Sequence, residues 1–195
     1  MDRKQATELL DWAHAQNPGP WRDHSLGVGR AAEKIAEACK MDAERAWCSG
    51  ALHDIGRYEG AFGLRHAAAG FHLLSDRGEL QLARVCLTHS FPLPTVDAFM
   101  GELDVTDADM ALLMETLDTP MDDYDRLIQL CDGLAPDLGV CLMEKRLVSV
   151  MRRHGIVPLQ REIIDARFSI LEDFQGRMGH SVYALFPEAA ANTFA

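Results

Sequence analysis

The sequence predicts an all-α protein built as a single-domain helical bundle. Three observations carry that reading. Nearly every stretch repeats apolar residues with the 3.6-residue helical period. Alternating apolar and polar runs of the kind a half-buried strand needs are scarce. The 195 residues are 48% hydrophobic, without repeat, linker or low-complexity segment, which suits one core over residues 1–195.

Taken in order, the first helix is placed at about 23–40, where Val28, Ala31, Ala32, Ile35, Ala36 and Cys39 form an inward stripe with His24 one turn before it. A second, at about 43–54, carries Ala46, Ser49 and Gly50 on the face that ends in His53, with Gly56 as a permissive stop. His53 and Asp54 thus sit at a helix end. Successive side chains on a helix diverge by about 100°, but at a fraying terminus neighbours can converge on one small ion.

The stretch 64–75 puts His66, Gly70, Leu73 and Leu74 on one face, and 79–90 puts Leu82, Val85, Cys86 and His89 at i, i+3, i+4, i+7. Phe91-Pro92-Leu93-Pro94 breaks the pattern and opens a loop to about 105 that can rim a cleft. Thr106 with Asp109 resembles a capping box, and Pro120 closes that helix. In 122–135, Leu127, Ile128, Cys131, Leu134 and Ala135 mark the buried side, with Asp132 at its edge. Helices near 138–154 and, after Pro158, 159–178 complete the bundle. No element is assigned before residue 23, and the chain after Tyr183 reads as an irregular tail.

Charge bounds the partners. Lys and Arg total 19 against 30 Asp and Glu, a formal charge of −11, which disfavours binding of a nucleic-acid polymer or an anionic membrane surface. Cys39, Cys48, Cys86, Cys131 and Cys141 form no CxxC and lie among apolar helical residues, so they read as small buried hydrophobes. With no apolar export segment at the N-terminus and no membrane-spanning run, the expected location is the cytoplasm.

The chemistry is concentrated in His24, His53, Asp54, His66, His89 and Asp132, all placed where helical periodicity can point them inward. One inward histidine is most simply a satisfied core residue. Four with two aspartates are costly as packing alone, because a buried unpaired charge or unsatisfied imidazole costs several kcal/mol. A divalent metal resolves that cost, and imidazole and carboxylate are the ligands of hydrolytic metals.

His24, the doublet His53-Asp54 within His-Asp-Ile-Gly, and Asp132 within Leu-Ile-Gln-Leu-Cys-Asp-Gly-Leu-Ala resemble the HD superfamily of metal-dependent phosphohydrolases over about residues 20–136. The resemblance implies an all-helical fold with His24, His53, Asp54 and Asp132 as the primary metal site; the C-terminal helices read from the pattern, over 138–180, lie outside the motif core. His66 in Arg-His-Ala-Ala-Ala-Gly and His89 in Leu-Thr-His are similar to the extra histidines of two-metal branches, such as HD-GYP phosphodiesterases and symmetrical dinucleoside tetraphosphate hydrolases. By that likeness Asp54 bridges an ion held by His24, His53 and Asp132 and one held by His66 and His89. The chain departs from the pattern twice. It has no Gly-Tyr-Pro, and Arg57 replaces the usual lysine after the doublet.

The implied activity is hydrolysis of a phosphoester or phosphoanhydride of a nucleotide or small phosphate ester by a metal-activated water, with His53 and Asp54 at the catalytic centre. The cofactor is a divalent metal, two ions by the likeness with a single ion as the alternative, with iron or manganese favoured and magnesium, cobalt or nickel admitted. Arg57 and Arg65 are candidates for substrate phosphate, against the alternative of solvated helix-end cations. His14, His72, His154 and His180 are read as non-ligands, the acidic pairs near 107–109 and 121–123 as helix-start carboxylates, and Trp12, Trp21 and Trp47 as core or cleft-wall aromatics. Two other classes stay open: an HD-like di-iron oxygenase, and a catalytically silent helical regulatory module. Oligomeric state is not readable.

Overall fold

The computed structural model describes residues 1–60, 63–136 and 139–194. Its described residues contain ten α-helices and three short 3₁₀ turns, with no strand. The all-α class expected from the period is the observed one.

Helix α1 (Arg3–Gln16) was not foreseen. Asp2 opens it with a reciprocal cap: its carboxylate accepts from the Gln5 N–H at 2.8 Å, while the Gln5 side chain accepts from the Asp2 N–H at 2.9 Å. Ala6, Leu10 and Ala13 then fall on one buried stripe. Helix α2 (Trp21–Ala38) buries Val28, Ala31, Ala32, Ile35 and Ala36 together with His24. It packs closely along α3 (Ala43–Leu52), whose first turn is capped by Asp42. The crossing requires glycine at position 50, since a Cβ there would lie 2.7 Å from the Gly29 Cα.

After α3 the chain makes a 3₁₀ turn, Ile55–Glu59, that lies on α4 (Arg65–Ser75). Here the reading of Gly56 as a helix stop is corrected. Gly56 lies inside the turn without a left-handed φ, and a Cβ there would collide with the His66 carbonyl oxygen and the Gly70 nitrogen. Its role is close approach between backbones.

Helix α5 (Leu80–Thr88) lies against α4, and α6 (Asp107–Leu117) begins at Thr106, which accepts from the Asp109 N–H. Helix α7 (Asp123–Asp132) carries its own reciprocal cap between Asp122 and Asp125. Helix α8 (Met143–His154) starts later than the expected 138, a position outside the described residues. Gly139 has φ 101° and Leu142 is extended, so regular turns begin only at Met143. Helix α9 (Gln160–Met178) ends on left-handed Gly179. The supposed irregular tail contains a 3₁₀ turn, Val182–Leu185, and α10 (Ala189–Phe194).

The core has three apolar bodies. One joins α2, α7 and α9 through Val28, Ile35, Leu127, Ile128 and Phe174. A second joins α1, α3 and α4 through Leu10, Leu52 and Leu74, and a third lies around Leu64, Leu87, Phe91 and Leu113. All five cysteines are free thiols, and four of them are buried. No helix among the described residues is long and apolar enough to cross a membrane.

Candidate metal centre

Three helices run to a common point and end there. His53 is the C-cap of α3 with Asp54 next, His89 is the C-cap of α5, and Asp132 is the last residue of α7. His24 and His66 come from the first turns of α2 and α4. Three converging helix C-termini bring the negative ends of three macrodipoles together, a field that favours a cation.

The four imidazoles are oriented alike. His53, His66 and His89 each direct Nδ1 at the carbonyl three residues earlier, of Gly50 at 2.7 Å, of Gly63, and of Cys86 at 2.9 Å respectively. His24 directs Nδ1 at the Ala135 carbonyl at 2.7 Å. A carbonyl only accepts, so each Nδ1 carries the proton and each Nε2 presents its lone pair inward. This backbone support fixes the ring and its tautomer, as metal-ligating histidines require.

The inward atoms meet. His24 Nε2 is 3.2 Å from Asp132 Oδ1. Asp54 spans the middle: its Oδ1 is 3.1 Å from His66 Nε2 and 3.6 Å from His89 Nε2, and its Oδ2 is 3.9 Å from His53 Nε2. His66 and His89 face each other, Nε2 to Nε2, at 3.5 Å. Ligand atoms of His24, His53 and Asp132 all lie within 4.8 Å of one another, and so do those of His53, Asp54 and His89. All six sequence candidates are therefore in one place, and His53 belongs to both groups.

The donor set fits a divalent metal. His53 Nε2 and Asp54 Oδ1 are buried with no hydrogen-bond partner. Lone pairs of imidazole and carboxylate facing each other at these distances repel unless positive charge lies between them. A proton is disfavoured in that place: burial pushes the His53 imidazole below its ordinary value, and burial with the neighbouring His53 pushes His89 down to about 3. Burial pushes the two carboxylates up, but it is outweighed. The Arg57 guanidinium holds Asp54 well below the usual carboxylate range, and Arg146 pulls Asp132 the same way.

The centre opens into a cleft of about 610 Å³, a size typical of small-molecule sites. Trp21 forms part of its wall, and the loop expected as a rim supplies Phe99, Met100, Gly101 and Glu102. Arg57 lines the cleft and donates from Nε to Asp54 Oδ2. Arg65 is not among the lining residues and pairs with Glu59 at 3.0 Å. His72 hydrogen-bonds Asp109 away from the centre. Trp47 is buried, whereas Trp12 is 42% exposed against Tyr58, neither core nor cleft wall. The sequence reading missed Arg146, Arg153, His154 and Arg167, which reach the cleft from α8 and α9. The one signal was the recurrence of cations at i, i+7 and i+8 along α8.

Comparison with known proteins agrees with this architecture. A family model described as HD domain matches residues 21–137. The HD domain of the L. monocytogenes phosphodiesterase PgpH superposes with a TM-score of 0.55 at 16% identity, covering 91% of this chain and 96% of that one. At that identity the likeness speaks to the fold. No curated protein sequence matches.

Proposed function

The chain belongs to the HD-domain family, and from that premise we propose that it is a metal-dependent phosphohydrolase acting on a phosphoester or phosphoanhydride of a nucleotide or other small phosphate ester. The observation that carries this reading is the convergence of four backbone-oriented imidazoles on two carboxylates, with His53 Nε2 and Asp54 Oδ1 left buried and unpartnered.

His24, His53 and Asp132 would hold one ion and His66 and His89 the other, with Asp54 between them. Mixed nitrogen and oxygen ligation suits iron or manganese, and admits magnesium, cobalt or nickel. Bound divalent ions supply Lewis acidity toward a phosphoryl group and lower the pKa of water.

The chain's own residues do the rest. Their Nδ1–carbonyl bonds hold the imidazoles as neutral ligands facing the centre. Arg57 orients Asp54 through Nε, and its remaining guanidinium N–H groups are donors suited to a phosphate oxygen at the cleft wall. Trp21, Phe99 and Met100 supply an apolar boundary that reduces water access around the reacting group.

The test is a metal-by-substrate panel. Protein purified with and without oxygen is assayed for metal per chain, then for phosphate release from nucleotides and phosphate esters with iron, manganese, cobalt or magnesium added. Metal-dependent phosphate release supports the reading. Dioxygen uptake without phosphate release, or no turnover with any metal, overturns it.

A further inference from the structure

Helix α8 lays a row of cations into the cleft. Arg146, Val150 and Arg153 recur at i, i+4 and i+7 and line it together with His154 at the helix end. From Arg146 to Arg153 the row runs about 10 Å along the helix axis, longer than one phosphate can span.

Its inner end is tied to the centre: Arg146 Nη2 is 3.2 Å from Asp132 Oδ1, and its Nε donates to the Asp132 carbonyl at 3.3 Å. At its outer end the His154 imidazole is held down by burial and by the charges of Arg153, Arg57 and Arg146, which places these groups in one electrostatic neighbourhood.

The polarity of this wall is opposite to that of the molecule. The chain carries a formal charge of −11, yet four arginines line the cleft, and among the described residues Glu102 is the one lining carboxylate besides the candidate ligands Asp54 and Asp132. Arg167 donates to the Gln129 carbonyl, Arg57 and Arg146 lie against the centre, and Arg153 lines the cleft at the outer end of the row. Arg153 extends the positive wall past the region one phosphoryl group would occupy, with the neutral His154 imidazole beside it as a hydrogen-bonding group. Cations gathered along one cleft wall repel each other, and an anion relieves that repulsion.

Building on the hydrolase reading above, we propose that the substrate carries at least two phosphates. One lies over the histidine–aspartate centre, and the next is seated against Arg153 and His154 of α8.

Two measurements test this. In the first, calorimetry on metal-free protein compares inorganic tripolyphosphate with inorganic phosphate. Wild type should bind tripolyphosphate at least about tenfold tighter, and Arg153→Glu should lose about tenfold of that preference, the effect of about one charge-assisted contact. Arg153→Lys keeps the charge and should recover part of it, and the melting temperature of each variant checks that it folds. In the second, metal-loaded enzyme is compared on nucleoside mono- and diphosphates, where Arg153→Gln should raise KM for the diphosphate far more than it changes kcat.

Turnover with no preference for a second phosphate, or a preference indifferent to Arg153, overturns this inference and leaves the hydrolase reading standing. Tight, Arg153-dependent tripolyphosphate binding without turnover on any metal supports the phosphate seat and removes the hydrolase reading.

Discussion

Arg57 Nε stands 2.6 Å from Asp54 Oδ2, so the carboxylate at the middle of the centre is held by a cation three residues further along the same chain. Burial alone would push Asp54 up. Arg57 is the largest of the influences that pull it down instead, and it leaves the carboxylate ionised and oriented for a cation.

Arg57→Ala should therefore reduce kcat/KM by about 10- to 100-fold, the loss of one hydrogen bond to a charged group in the transition state. Arg57→Lys, which keeps the charge but lacks the planar fork, should recover only part of it. Steady-state kinetics with the active metal decides the matter, and unchanged constants would remove Arg57 from the site.

Metal stoichiometry separates the two halves of the centre. His66→Ala combined with His89→Ala should lower bound metal from two ions per chain to one, read by elemental analysis. Chelation should lower thermal stability in the wild type: a site filled at a hundred times its Kd contributes about 2.7 kcal/mol, or about 5–11 °C for a chain of this length. A melting curve indifferent to chelator and to added metal would show that the native protein holds no ion there.

Gly56→Ala and Gly176→Ala make the same chemical change in opposite surroundings. At Gly56 the new methyl meets the backbone of His66 and Gly70, whereas at Gly176, within α9, nothing lies within 4 Å. Gly56→Ala should cost about 3 kcal/mol or more and weaken metal binding through displaced His66. Gly176→Ala should stabilise by about 0.5–1 kcal/mol through helix propensity. Urea denaturation of both variants checks the signs.

Asp104 fastens the rim loop to the start of α4, accepting from the Gly63 N–H and the Arg65 N–H at 2.9 Å each. Gly63 is also the residue whose carbonyl orients His66. Asp104→Ala should cost about 1–3 kcal/mol. Although burial raises the Asp104 carboxyl, those two N–H bonds hold it below 3.8. Its stabilisation is therefore complete above that pH and lost as pH falls through the folded value, so wild type and variant should converge in acid denaturation.

Much of this was legible because helical period reports burial directly. His24, His89 and Asp132 share stripes with core residues such as Val28, Val85 and Ile128, so their inward direction followed from spacing. Helix α1 was legible too, in Asp2, Gln5 and the Ala6, Leu10, Ala13 stripe, but its charged exposed face hid it. What spacing cannot report is a bond between distant backbone segments. The Nδ1 contact of His24 with the Ala135 carbonyl, the encounter of Gly56 with α4, and the arrival of α8 over the cleft each depend on tertiary placement.

His24 and Asp132 come from opposite ends of the matched region and meet at 3.2 Å. An ion shared by them would act as a reversible staple closing a loop of about a hundred residues, which by chain-entropy reasoning disfavours the unfolded ensemble by about 4–5 kcal/mol. Metal supply would then set the lifetime of the protein as well as its activity: a starved cell would hold a population that opens more often and is cleared sooner by proteases.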